Sequence, residues 1–71
     1  MISKAVENYL KAIFSLSEDG NDNVSTNSIA KKLNTKASSV TDMLRKLTLN
    51  QLVNHEKYKG VSLTTKGKKL A

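Results

Sequence analysis

Three residues, Asn34-Thr35-Lys36, separate two stretches of helical periodicity, and nothing else in the chain restricts the fold so tightly. Upstream, Ile29, Ala30 and Leu33 recur at a spacing that places them on one side of a helix, with Lys31 and Lys32 turned outward. Ser25 supplies a hydroxyl suited to capping that helix. Downstream, Val40, Met43, Leu44 and Leu47 form the apolar stripe of a helix predicted from Ala37 to about Asn50. Its opposite face carries Ser38, Thr41, Asp42 and Arg45, and Leu49 and Leu52 are expected to close the core at its end. Two helices joined by so short a link form a helix-turn-helix.

The flanking segments complete the pattern. Val6, Tyr9, Leu10, Ile13 and Phe14 are spaced three, one, three, one, which predicts an amphipathic helix from Ser3 to about Ser17 with Ser3 as its cap. It ends in the turn formers Glu18-Asp19-Gly20-Asn21-Asp22-Asn23, after which Val24 reads as a very short strand. Beyond Gln51, Val53–Glu56 and Val61–Leu63 read as two strands joined by Lys57-Tyr58-Lys59-Gly60, with Gly60 free to take a positive φ. Thr64 is placed to cap a last helix, which Gly67 should weaken by roughly 1 kcal/mol relative to Ala. That helix reaches Ala71 without a cap or a breaker, so a fragment of a longer chain is expected. The expected fold is mainly α with a small β-hairpin: a winged helix-turn-helix of three core helices, a wing and the start of a fourth helix. Residues 1–71 form one such domain.

Charge is distributed unevenly along these elements. Residues 1–24 carry two Lys against four acidic residues, a balance of −2, whereas residues 25–71 carry ten basic against two acidic residues, a balance of +8. A surface of that kind suits a polyanion, nucleic acid above all, or is simply a solvated Lys-rich face. The chain has no Cys, which removes thiolate metal sites and redox motifs and fits a reducing cytoplasm. No apolar run approaches membrane-spanning length, and the N-terminus does not read as a signal peptide, so no membrane partner is expected. The one His, His55, lies in a predicted strand and is read as structural. Without paired carboxylates, a nucleophile–base arrangement or a phosphate-binding Gly loop, no enzymatic activity is expected.

The second helix of a helix-turn-helix is the one that enters the major groove. Ser38, Ser39 and Thr41 are hydrogen-bonding residues near its start, and Lys36 and Ala37 lie where the chain enters it, close to phosphate or a base edge. Backbone N–H groups there attract phosphate as well. Asp42 faces the same way and either accepts from a cytosine amino group or pairs with Lys46 or Arg45. Arg45, Lys46, Lys31 and Lys32 are candidate phosphate contacts. Lys57, Tyr58 and Lys59 form the tip of the wing, which either lies along the DNA backbone or reaches into the minor groove. The competing readings are a solvent-exposed helix start rich in Ser and a hairpin whose Lys residues protect a strand edge. A winged helix used for protein contact alone is the alternative function, since fold does not decide function. The aromatic content is too low for an RNA base-stacking platform.

Four segments resemble the iron- and manganese-dependent repressors, the diphtheria toxin repressor and manganese transport regulator family. They are Glu7-Asn8-Tyr9-Leu10-Lys11-Ala12-Ile13; Ile29-Ala30-Lys31-Lys32-Leu33; Ala37-Ser38-Ser39-Val40-Thr41-Asp42-Met43-Leu44; and the wing run from Tyr58-Lys59-Gly60-Val61 through Leu63-Thr64-Thr65-Lys66-Gly67-Lys68. The resemblance implies sequence-specific binding of double-stranded DNA by the N-terminal domain of a metal-dependent repressor. It implies a homodimer of the full-length protein on a palindromic operator, with Fe(II) or Mn(II) as cofactor of that longer protein and none held by these residues alone. One ligand from the first helix would fall at Asn8, a weaker donor to a hard cation than a carboxylate. A second carboxylate position of manganese-type members is Lys11 here. The resemblance carries DNA contact to Lys36, Ala37, Ser38, Ser39, Thr41 and Asp42. Where the family often has Ser then Pro, this chain has Lys36-Ala37, so the helix start is expected to shift to use Thr35 as cap.

Overall fold

The computed structural model describes residues 3–17, 23–56 and 60–71. The elements follow in the order α1 (Lys4–Leu16), α2 (Thr26–Leu33), α3 (Ala37–Leu49), β1 (Val53–Glu56), β2 (Gly60–Leu63) and α4 (Thr65–Leu70). This is the winged helix-turn-helix that the periodicities predict. The proposed loop residues Lys57, Tyr58 and Lys59, and the turn from Glu18 to Asp22, lie outside the described residues.

Local chemistry sets most element boundaries. The hydroxyls of Ser3, Ser25 and Thr64 accept from Val6 N, Ser28 N and Gly67 N, capping α1, α2 and α4. Each such cap is worth about 1 kcal/mol. α2 ends where Asn34 turns into the left-handed region at φ 55°. Asn34 N then donates to Lys31 O and Thr35 N to Ala30 O, the paired bonds of a Schellman motif. Asn tolerates that conformation better than most residues. α3 ends the same way around Gln51 at φ 61°, with Gln51 N donating to Thr48 O and Leu52 N to Leu47 O.

The core is shared by every element except the short α4. Leu10, Ile13, Ile29, Val40, Leu44, Leu47 and Val61 have no exposed surface, and Val53, Leu52, Leu63 and Val24 are nearly as buried. The hairpin is antiparallel, with Val53 opposite Leu63 and His55 opposite Val61. Val24 adds a single bridge on the other side of β2, its N–H donating to Val61 O and its carbonyl accepting from Val61 N. The predicted short strand at Val24 is this bridge. β2 begins one residue earlier than the alternation suggested, at Gly60. Gly60 has φ +91°, and a Cβ there would lie 2.6 Å from the Val24 carbonyl oxygen, so the hairpin needs Gly for space as well as for its backbone angle.

Three sequence expectations require correction. Leu49 does not close the core; it is 80% exposed, while Leu52 is 4% exposed and does. Two residues of helix turn the chain by about 200°, so Leu49 faces away from the side on which Leu47 is buried. Thr35 does not cap α3: its backbone is used in closing α2, and extended Lys36 (φ −82°, ψ 146°) occupies the N-cap without any side-chain hydrogen bond. Gly67 is not merely a weak point in α4. It is buried, and a Cβ there would come within 2.1 Å of the Leu52 carbonyl oxygen, so α4 lies on the turn after α3 because residue 67 has no side chain.

Candidate nucleic-acid interface

α3 has one buried side and one open side. Val40, Leu44 and Leu47 fix its rotation about its own axis, since all three are fully buried. The helical repeat then sends Ser38, Thr41, Asp42 and Arg45 outward as a single stripe, flanked by Ser39 and Lys46; all six are exposed. Lys36 and Ala37 are exposed at the start of the helix, and Lys31 and Lys32 on the outer side of α2. The structure thus brings together eight of the eleven proposed DNA contacts on one helix and its approach. The other three, Lys57, Tyr58 and Lys59, lie outside the described residues.

The two ends of α3 differ chemically. Its N-terminus has no side-chain cap, the only such helix start among the described residues. Unsatisfied first-turn N–H groups and the positive end of the helix dipole favour an anion there. At and just beyond its C-terminus carbonyls are engaged: Asn50 Nδ2 donates to Lys46 O, Thr64 Oγ1 to Gln51 O at 2.7 Å, and Lys66 Nζ to Asn50 O at 3.3 Å. Thr64 N adds a bond to Leu52 O. The start of α4 therefore holds the end of α3 in place.

Hydrogen bonding also refines the roles of the outward residues. Thr41 Oγ1 donates to Ala37 O at 3.1 Å and Thr48 Oγ1 to Leu44 O at 2.8 Å. With their protons committed to the helix, both hydroxyls face outward only as acceptors, beside exposed methyl groups. Thr41 then suits a thymine methyl or a base amino donor better than a base carbonyl.

Residues not singled out in the sequence join this surface. Thr41, Arg45, Thr48, Leu49 and His55 line a shallow groove between α3 and β1. The first four follow from helical spacing alone. His55 does not: it arrives because its register partner Val61 is buried, which puts His55 on the bundle-facing side of the hairpin, at the edge next to α3. Its side chain is exposed at that edge rather than part of the core.

The metal position implied by resemblance fares differently. Asn8 and Lys11 are both exposed on α1, and among the described residues no group of three His, Cys, Asp or Glu side chains could hold a metal ion. One amide with an ammonium close by on the same helix face does not fit a divalent cation. Tyr9, also on α1, has its phenol pKa raised by burial. No helix among the described residues is long and apolar enough to cross a membrane.

Comparison with known proteins agrees with this geometry. A family profile described as "Iron dependent repressor, N-terminal DNA binding domain" matches residues 1–61. The chain is 41% identical over 66 residues to an uncharacterized HTH-type transcriptional regulator of Methanocaldococcus jannaschii, covering 93% of this chain and 53% of that protein. It is 42% identical over 71 residues to the HTH-type transcriptional regulator MntR of Oceanobacillus iheyensis, covering 99% of this chain and 47% of that protein. With MntR of Bacillus subtilis the figures are 41%, 99% and 49%. The chain therefore spans about half the length of the curated relatives it matches. These descriptions denote transcriptional regulators and not enzymes. With a matching profile over most of its length and a winged helix-turn-helix whose second helix is open on one side, the chain belongs to the iron-dependent repressor family, in its N-terminal DNA-binding domain.

Proposed function

We propose that this chain binds double-stranded DNA with α3 in the major groove and serves as the DNA-reading part of a repressor. The observation that carries this reading is the outward stripe Ser38-Thr41-Asp42-Arg45 on a helix whose other side is fully buried and whose N-terminus lacks a cap. Ser38, Thr41 and Asp42 of the stripe read base edges. Lys36, Ala37 and Ser39 sit at the start of the helix, against the backbone phosphates or the first base pair. Arg45 and Lys46 neutralise phosphates, and the wing residues Lys57, Tyr58 and Lys59 follow the neighbouring strand.

The full-length regulator is proposed to act in the cytoplasm as a homodimer on a palindromic operator, with DNA binding dependent on Fe(II) or Mn(II). The names of the family and of its MntR members support metal regulation of such longer proteins. The residues described here do not supply a fitting metal site, so no step is assigned to a metal in this domain. Mn(II) or Fe(II) should leave the DNA affinity of these 71 residues unchanged, and a clear metal-induced gain would place ligands in this domain after all.

Mobility-shift titrations over a salt series test the reading directly, using duplexes enriched from a random pool. Arg45→Ala should weaken binding to all sequences and lower the slope of log K against log salt by about one. Ser39→Ala or Thr41→Ala should change the preferred sequence instead. If both kinds of variant bind the enriched duplex as the parent does, α3 is not the reading helix.

A further inference from the structure

The groove between α3 and β1 is the feature that DNA reading by the stripe leaves unused. It holds Leu49, 80% exposed, beside Thr48 and His55, and it shares Thr41 and Arg45 with the proposed interface. A single exposed Leu is ordinary. Here, however, it stands next to two Thr side chains whose hydroxyl protons are already bound to Ala37 O and Leu44 O. The groove therefore presents methyl groups, an isobutyl group and an imidazole, with one strong fixed charge at Arg45 and no acidic residue among the described residues lining it. Such a surface fits carbon-bound hydrogens beside an anion.

Distance decides which part of DNA meets it. Thr48 lies ten helical steps after Ser38, about 15 Å along the axis. The major groove is about 12 Å wide. For a helix that crosses the groove obliquely with its first turn at the base edges, Thr48 and Leu49 come to the strand that borders it. A deoxyribose offers that chemistry: a face of carbon-bound hydrogens, no 2′-hydroxyl, and a phosphate on each side. We propose that the α3–β1 groove seats one deoxyribose of the strand bordering the major groove, its ring against Thr48, Leu49 and His55 and its adjoining phosphate on Arg45. This rests on the DNA-binding reading above. Exposed Lys36 and Lys46 on the same helix and its approach match the charge of the strand on either side.

Hydroxyl-radical footprinting reports deoxyribose accessibility and is the test, with an enriched duplex saturated by the parent chain, Leu49→Gln or Arg45→Ala. The parent should protect one or two sugars at the groove edge. Leu49→Gln should restore cleavage at those nucleotides alone and weaken binding about fivefold, with the salt slope unchanged. Leu49 is exposed, so the melting temperature should not move, and circular dichroism checks that the variant is folded. Arg45→Ala should lower the slope. An unchanged footprint and affinity for Leu49→Gln would overturn the sugar contact while leaving DNA binding by α3 intact. Self-association of the parent chain that Leu49→Gln abolishes, with the footprint unaltered, would assign the groove to a second copy. Absence of any salt-dependent duplex binding by the parent would overturn both readings together.

Discussion

The beginning and the end of α3 are built on opposite principles. At the beginning, Lys36 is extended and supplies no side-chain cap, and Lys36, Ala37, Ser38 and Ser39 are all exposed. At the end, a Schellman turn at Gln51 is bound by Thr64 and Lys66 and packed against by Gly67. Stability is concentrated at the end that α4 holds, and polar groups are left available where an anion would meet the start of the helix. The cost of the open end is small, about 1 kcal/mol for the missing cap. The closed end fixes the direction in which the open end points, because a helix docked at one terminus and along its buried stripe has little freedom at the other.

The sharpest way to break this contrast is at residue 67. In an isolated helix Gly→Ala stabilises by about 1 kcal/mol. Here the added Cβ would sit 2.1 Å from the Leu52 carbonyl oxygen, so Gly67→Ala should destabilise the domain by about 3 kcal/mol, measured by urea unfolding. A stabilised variant would show that α4 is not held against the turn. Thr64→Ala removes both the cap on Gly67 N and the bond to Gln51 O, and should cost about 1–2 kcal/mol in the same assay. The smallest effect on stability is expected at the open end, and with the opposite sign. Lys36→Ser adds the missing cap and should stabilise by about 1 kcal/mol or less, while weakening DNA binding several-fold through loss of a cation near phosphate. Gains in both stability and affinity would show that the open start of α3 has no part in binding.

Much of this was legible in the sequence because it depends on residues close together in the chain. The spacing of Val6, Tyr9, Leu10 and Ile13, the Ser25 and Thr64 caps, and the outward stripe from Ser38 to Arg45 all follow from helical repeat and local hydrogen bonding. Leu49 was legible too: its angular distance from Leu47 points it outward, and the expectation of burial followed from its hydrophobicity instead of its position. The non-capping nature of Lys36 was also clear, but not its consequence. Thr35 could not substitute, since the end of α2 already engages it.

The sequence by itself determined the order of the elements, the caps on three helices and the residues that α3 turns outward, because each of these is settled within a few residues by backbone geometry. Only the tertiary structure decided that Gly67 must lack a side chain, that Gly60 must leave room for the Val24 carbonyl, and that His55 meets α3. Those outcomes depend on how closely elements far apart in the chain approach one another. Close packing sets that distance, and no local pattern encodes it.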